Sequence, residues 1–216
     1  MAYFPFFVDI EGKRWLIAGG GEVSLRKVRD LLPCGAAIQV VSPHMADGLA
    51  EMEGSGEYGD RLILVKREFK ESDLADVDFV IAATSDAGLN SAVSAMCGDR
   101  GIPVNVVDVR EECSFIFPSI VREGPVVVGI STGGMSPVMA RYLKEKVRSV
   151  LPEDLGPFTV QLGGYRKRIK DLFPDSPKTR SALFYELAKE GLENRCRLTE
   201  EQAEIIINRK LEQEHE

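Results

Sequence analysis

The chain has 216 residues, 44% of them hydrophobic and 28% charged, the composition of an ordinary globular protein with room for one large domain or a medium domain plus an appendage. Asp and Glu number 34 against 27 Lys and Arg, a formal charge of -7, which excludes an overall field that attracts nucleic acid or an anionic membrane surface. Cys34, Cys97, Cys113 and Cys196 form no C-x-x-C pair and only two histidines accompany them, so neither a disulfide framework nor a metal site is expected, and a reducing cytoplasm fits.

Residues 1–15 carry no basic leader before an apolar run and meet charges at Asp9 and Glu11, so no signal peptide is expected. No apolar run approaches the roughly 18 residues that span a bilayer. Residues 15–18, WLIA, predict a first strand; Gly19, Gly20 and Gly21 turn the chain; Val23, Leu25, Val28, Leu31 and Leu32 then recur at helical spacing. Gly35 is placed for a left-handed helix cap, and 38–41 supplies a second apolar strand ending at Ser42-Pro43. Loop 54–59, strands 62–65 and 79–83, a helix from about 89 to 100 closed by Gly101, and a strand 104–107 continue the alternation. Short apolar runs separated by helices describe a parallel sheet covered on both faces, an α/β Rossmann domain.

The pattern then changes. Segments 115–121 and 126–131 flank a turn at Gly124-Pro125 and predict an antiparallel hairpin, followed by a helix from Pro137, capped by Ser136, to about 150, with Arg141, Lys144, Lys146 and Arg148 on a basic face. Beyond Pro152 the pattern is helical, with breaks expected at Pro157, at Phe173-Pro174 and near Gly191, and a capping box from Thr199 to Gln202. The expected division is a dinucleotide-binding domain over 1–112, a small α+β segment over 113–150 and a helical part over 151–216.

Glycines after the first strand let the backbone approach a pyrophosphate, and the following helix offers unpaired N–H groups and a positive dipole end. Gly19 and Gly21 match G-x-G-x-x-G, with the small Ser24 in its third place. The acid that would bind the ribose 2′-hydroxyl is absent, since Val41-Ser42-Pro43-His44 occupies its place; that position selects neither NAD nor NADP. Arg26 and Lys27 either serve an anion or are solvated surface charges. Thr84 and Ser85, after the fourth strand, are candidate cofactor contacts. Asp108 is the first acid after the fifth strand and the candidate acid/base, or alternatively a cap for the loop that follows it. Ser131 to Pro137 is a small-residue loop that either receives an anion on backbone N–H groups or simply joins strand to helix.

Taken together, AGGGEVSLRKV (18–28), AATSD (82–86), NVVD (105–108), CSFIFPSIV (113–121) and STGGMSPVMAR (131–141) resemble the precorrin-2 dehydrogenase family, which includes the N-terminal module of sirohaem synthase. The resemblance implies NAD-dependent oxidation of precorrin-2 to sirohydrochlorin and a homodimer built through 113–150. It implies Asp108 as acid/base and cofactor contacts from Glu22, Val23, Pro43 and His44, with Ser42 and Asn105 in the same motifs. Substrate contacts are expected from Ser131, Thr132, Gly133, Arg122 and Arg141. Some family members also insert Fe²⁺ into the product, which is one alternative; a non-catalytic NAD-sensing module is another. No methyltransferase module is expected here, so another protein would make the substrate.

Overall fold

The computed structural model describes residues 3–215, which divide into two compact units, Tyr3–Phe117 and the chain from Pro118 onward. In the first unit β1 (Arg14–Ala18), β2 (Ala37–Val41), β3 (Leu62–Val65), β4 (Phe79–Ala82) and β5 (Val104–Val106) form one parallel sheet in the order β3-β2-β1-β4-β5. Because side chains alternate along a strand, Trp15 and Ile17 enter one core with Leu25, Val28, Ile38 and Val40. Leu16 enters the other, with Val80, Ala82, Val93, Val104 and Val106. Continuous apolar runs are what a sheet covered on both faces requires.

The covering helices are α1 (Glu22–Leu31), α2 (Asp47–Gly54) and α3 (Ala87–Arg100). On α1 the buried side chains are Ser24, Leu25, Val28 and Leu31, one stripe at 3.6-residue spacing. Gly35 ends the turn after α1 at φ 83, and Gly101 ends α3 at φ 66, as expected of left-handed caps. Helix α2 has no sequence signal, since DGLAEMEG contains two glycines. Packing explains it: Leu49 is fully buried, and a Cβ on Gly48 would lie 2.7 Å from Leu25 Cδ2, so the glycine allows the two helices to meet. Phe115 and Phe117 join this unit, packing on Trp15, which itself stacks on Phe79.

In the second unit β6 (Ser119–Glu123) pairs antiparallel with β7 (Val126–Ile130) across the expected Gly124-Pro125 turn. Helix α4 (Pro137–Val150) follows, with Ser136 Oγ accepting from Met139 N–H at 3.2 Å. Then come α5 (Leu155–Gly164), α6 (Arg166–Leu172), α7 (Pro177–Glu193) and α8 (Glu200–His215). Pro157 does not break a helix: it lies in the first turn of α5, where its missing N–H would have no partner anyway. The break expected near Gly191 comes two residues past it, at the end of α7, and the bare backbone of Gly191 lets the ring of Phe158 lie against it. The capping box is reciprocal, Thr199 N–H to Gln202 Oε1 at 2.9 Å and Gln202 N–H to Thr199 Oγ1 at 3.1 Å. Among the described residues, no helix is long and apolar enough to cross a membrane.

Candidate active site

Strand order reverses between β1 and β4, and in open α/β sheets the crevice beyond the carboxyl ends at such a point is where ligands bind. The glycine turn leaves β1 there. Gly19 N–H donates to Val41 O at 2.9 Å, Gly20 O accepts from Ala46 N–H at 2.7 Å, and these bonds draw the ends of β1 and β2 together. Gly19 has φ +115, and a Cβ on it would lie 2.3 Å from Ala83 O; a Cβ on Gly20 would lie 2.3 Å from His44 O. Both glycines are therefore required by neighbouring backbone.

Gly21 is different. Its φ of -84 suits any residue, and an added Cβ would meet nothing within 4 Å. It begins α1 without a side-chain cap, so no capping group covers the first-turn N–H groups of Glu22, Val23 and Ser24. An uncapped helix N-terminus with open space beside a glycine fits a pyrophosphate. Ser24 is fully buried, as the third place of the fingerprint demands of a small residue, and its Oγ has no hydrogen-bond partner.

The other candidates arrive at the same sheet edge. Ser42 is buried and accepts weakly from His44 N–H at 3.4 Å, while Pro43 and His44 are exposed. Thr84 is tied to Asn90, a buried residue on α3: Thr84 Oγ1 donates to Asn90 Oδ1 at 2.7 Å, and Asn90 Nδ2 donates to Thr84 O at 3.0 Å. Asn90 thus shapes the turn after β4, a role the sequence does not announce, and Ser85 is left exposed at its tip.

Beyond β5, Val107 N–H donates to Ala82 O at 3.0 Å, so the chain stays beside β4 for one more residue before it reaches Asp108. Asp108 is exposed and stands at φ 64, in the left-handed region that few residues other than glycine, Asn and Asp enter. Asn105 is buried, its Nδ2 donating to Phe115 O at 3.0 Å. Lys27 lies with Nζ 3.6 Å above the centre of the Phe117 ring, and burial lowers its pKa to about 8; Arg26 is exposed.

The remaining candidates belong to the second unit. Ser131 Oγ accepts from Gly133 N–H at 3.0 Å, and Thr132 Oγ1 accepts from Ser136 N–H at 3.1 Å, so the loop before α4 is shaped by its own hydroxyls. Gly133 and Gly134 both take positive φ. Arg122 on β6 and Arg141 on α4 are exposed.

Residues 6–119 match the family model described as "Putative NAD(P)-binding". The chain is similar to the siroheme synthase of Pseudomonas entomophila (strain L48), 42% identical over 193 residues, and to that of Pseudomonas fluorescens (strain SBW25), 40% identical over 192. Each match takes in 88% of this chain and 40% of the relative, so the chain spans about 40% of those relatives' length. Among solved structures it shares a fold with "SirC, precorrin-2 dehydrogenase", with a TM-score of 0.68, 24% identity, and coverage of 96% of this chain and 98% of that one. The matched family region exceeds half of the chain and holds the whole parallel sheet and its glycine turn: the chain belongs to this NAD(P)-binding family.

Proposed function

We propose that this chain binds NAD at the carboxyl edge of the sheet and oxidises precorrin-2 to sirohydrochlorin, with Asp108 as the acid/base. The observation that carries the reading is the meeting, at one sheet edge, of an uncapped helix behind a glycine turn and an exposed aspartate in left-handed backbone. The likeness to siroheme synthases and to a protein named as a precorrin-2 dehydrogenase supports the substrate class.

Oxidation of a ring carbon removes a hydride and a proton. When bound, the nicotinamide supplies the hydride acceptor. Gly19, Gly20, Gly21 and the N–H groups of Glu22 and Val23 would hold the pyrophosphate, and Ser42, Pro43, His44, Thr84, Ser85 and Asn105 would supply the remaining contacts to the dinucleotide. Asp108, free of a covering shell, takes the proton. The substrate's many carboxylates need local cations on a protein of charge -7, a role for Arg122 and Arg141, with N–H groups of Ser131, Thr132 and Gly133 adding donors. A homodimer through 113–150 belongs to the same reading, supported by exposed Val138, Met139, Tyr142 and Leu143 on α4, and so does a cytoplasmic location.

The test is anaerobic incubation of enzymatically made precorrin-2 with the protein, with and without NAD⁺, following NADH absorbance and the product spectrum. Turnover is expected only with NAD⁺. Asp108→Asn is expected to keep NAD⁺ affinity and lose at least about 100-fold in kcat, the scale of general acid–base catalysis; near-normal turnover refutes the role of Asp108. No NADH despite proven NAD⁺ binding would instead identify a sensing module.

A further inference from the structure

The last strand of the sheet, β5, pairs with β4 on one side, and on its other side three side chains take the place of a further strand. Ser114 Oγ accepts from Val104 N–H at 2.8 Å while Ser114 N–H donates to Val104 O at 2.9 Å. Asn105 reaches outward to Phe115 O. Cys113 Sγ accepts from Val106 N–H at 3.2 Å and lies 3.2 Å from Val106 O and 3.3 Å from Val109 O, so its thiol donates to one of these two carbonyls. Residues 113–115 thereby run along β5 and tie down both ends of loop 107–112.

Asp108 is in that loop. Val109 N–H closes a turn onto Val106 O at 3.4 Å, a long bond, and Asp108 occupies the turn position with positive φ. Within the turn that long bond alone ties Val109 back to Val106, while Val107 N–H holds the other arm to Ala82 O at 3.0 Å, so a second restraint at Val109 fixes where Asp108 stands. The sulfur of Cys113 touches backbone on both sides of Asp108, at Val106 before it and Val109 after it.

We infer that Cys113 is a positioning residue for Asp108: its sulfur, accepting from Val106 N–H and donating its one proton to Val109 O, staples Val106 to Val109 and so holds the carboxylate at its place on the sheet edge. The inference rests on the reading of Asp108 as the acid/base. Burial pushes the Cys113 thiol up; the Val106 N–H bond opposes this and the carboxylates of Glu111 and Glu112 add to it, so the net shift is upward and the thiol keeps its proton and remains a donor at neutral pH. The same neutrality separates it from a nucleophile, which would act as thiolate.

The experiment compares Cys113→Ala, Cys113→Ser, Asp108→Asn and the double variants in the full chain, reading kcat for NADH formation and NAD⁺ Kd. Cys113→Ala is expected to lower kcat about 10-fold or more, since small displacements of a reacting group are costly, with NAD⁺ Kd within about twofold of the parent. Cys113→Ser, which keeps an acceptor and a donor, is expected to recover most of the loss. Added to Asp108→Asn, neither cysteine variant is expected to cost further turnover, because the thiol acts only through that carboxylate. If Asp108→Asn is crippled while Cys113→Ala turns over normally, or if the losses multiply in the double variant, Cys113 does not position Asp108. Should Cys113→Ala fail to fold, Cys113→Val, which fills the space of the thiol without its hydrogen bonds, takes its place in the same double-variant comparison. Near-normal turnover of Asp108→Asn overturns the acid/base reading itself, and the role of Cys113 with it.

Discussion

Gly21→Ala separates what the fold needs from what the cofactor needs. At φ -84 and with nothing within 4 Å of the added Cβ, alanine enters the folded chain without a clash. Losing glycine at the helix cap costs at most about 1 kcal/mol, and the narrower unfolded ensemble returns about 0.4–1 kcal/mol, so the two nearly cancel. Bound dinucleotide changes the outcome, because the backbone at the second glycine of this fingerprint is where the pyrophosphate approaches. A methyl group there overpacks the complex by about 1–3 kcal/mol, which at about 1.4 kcal/mol per decade is roughly 5- to 140-fold in Kd. Gly20→Ala behaves in the opposite way: its Cβ would lie 2.3 Å from His44 O and 2.7 Å from Met45 Sδ, so the loop after β2 must move and the protein loses stability before any ligand is added. Calorimetric titration with NAD⁺ and thermal denaturation of both variants check this. The reasoning is refuted if Gly21→Ala binds NAD⁺ like the parent, or if its Tm falls as far as that of Gly20→Ala.

Asp73 is buried and gripped by Arg67 through Nη1 at 2.8 Å and Nη2 at 2.5 Å, with Lys70 N–H adding a bond at 2.8 Å. Its pKa is lowered chiefly by the Arg67 hydrogen bond, so the contribution is complete above the unfolded carboxyl value and is lost as pH falls through the lower folded value. Asp73→Asn should therefore cost about 2 kcal/mol at pH 7, below the roughly 3–5 kcal/mol of a fully buried pair because solvent reaches Arg67, and should flatten the acid limb of a denaturation series; an unchanged limb would sink this. Gly191→Ala puts a Cβ 2.2 Å from Phe158 Cζ in the core of the helical part, and the overlap should outweigh the helical gain by about 1–2 kcal/mol, so an unchanged or raised Tm would contradict it. Arg122→Ala and Arg141→Ala should each raise KM for the tetrapyrrole at unchanged NAD⁺ Kd; unchanged KM in both removes the proposed cationic rim.

The parallel sheet was legible because its strands are buried on both faces, and such strands must be short apolar runs bounded by turn residues, as WLIA and FVIA are. Helix ends were legible where a single residue carries the physics: Gly35, Gly101, Ser136 and the Thr199–Gln202 pair. What escaped was decided by contacts between distant residues. Helix α2 packs on α1 because Gly48 fits under Leu25, so there the glycine is a packing device that propensity reads as a break. Pro157 escaped for a local reason, since a proline marks a boundary without saying on which side of it the helix lies.

The candidate site shows a sharper limit of motif reading. Thr84, Asn105 and Thr132 stand in the segments that carry the family resemblance, and each spends side-chain atoms on the protein itself: on Asn90, on Phe115 O and on Ser136. What they offer a ligand is therefore chiefly the backbone they shape. Gly21, Ser85, His44 and Asp108, by contrast, stand exposed at the sheet edge. A motif records both kinds of residue alike, because losing the shape of a loop and losing a contact are equally damaging. Hydrogen-bond partners separate them, and by that measure Cys113, the first residue of the CSFIFPSIV segment, belongs with the residues that hold Asp108 in its left-handed conformation.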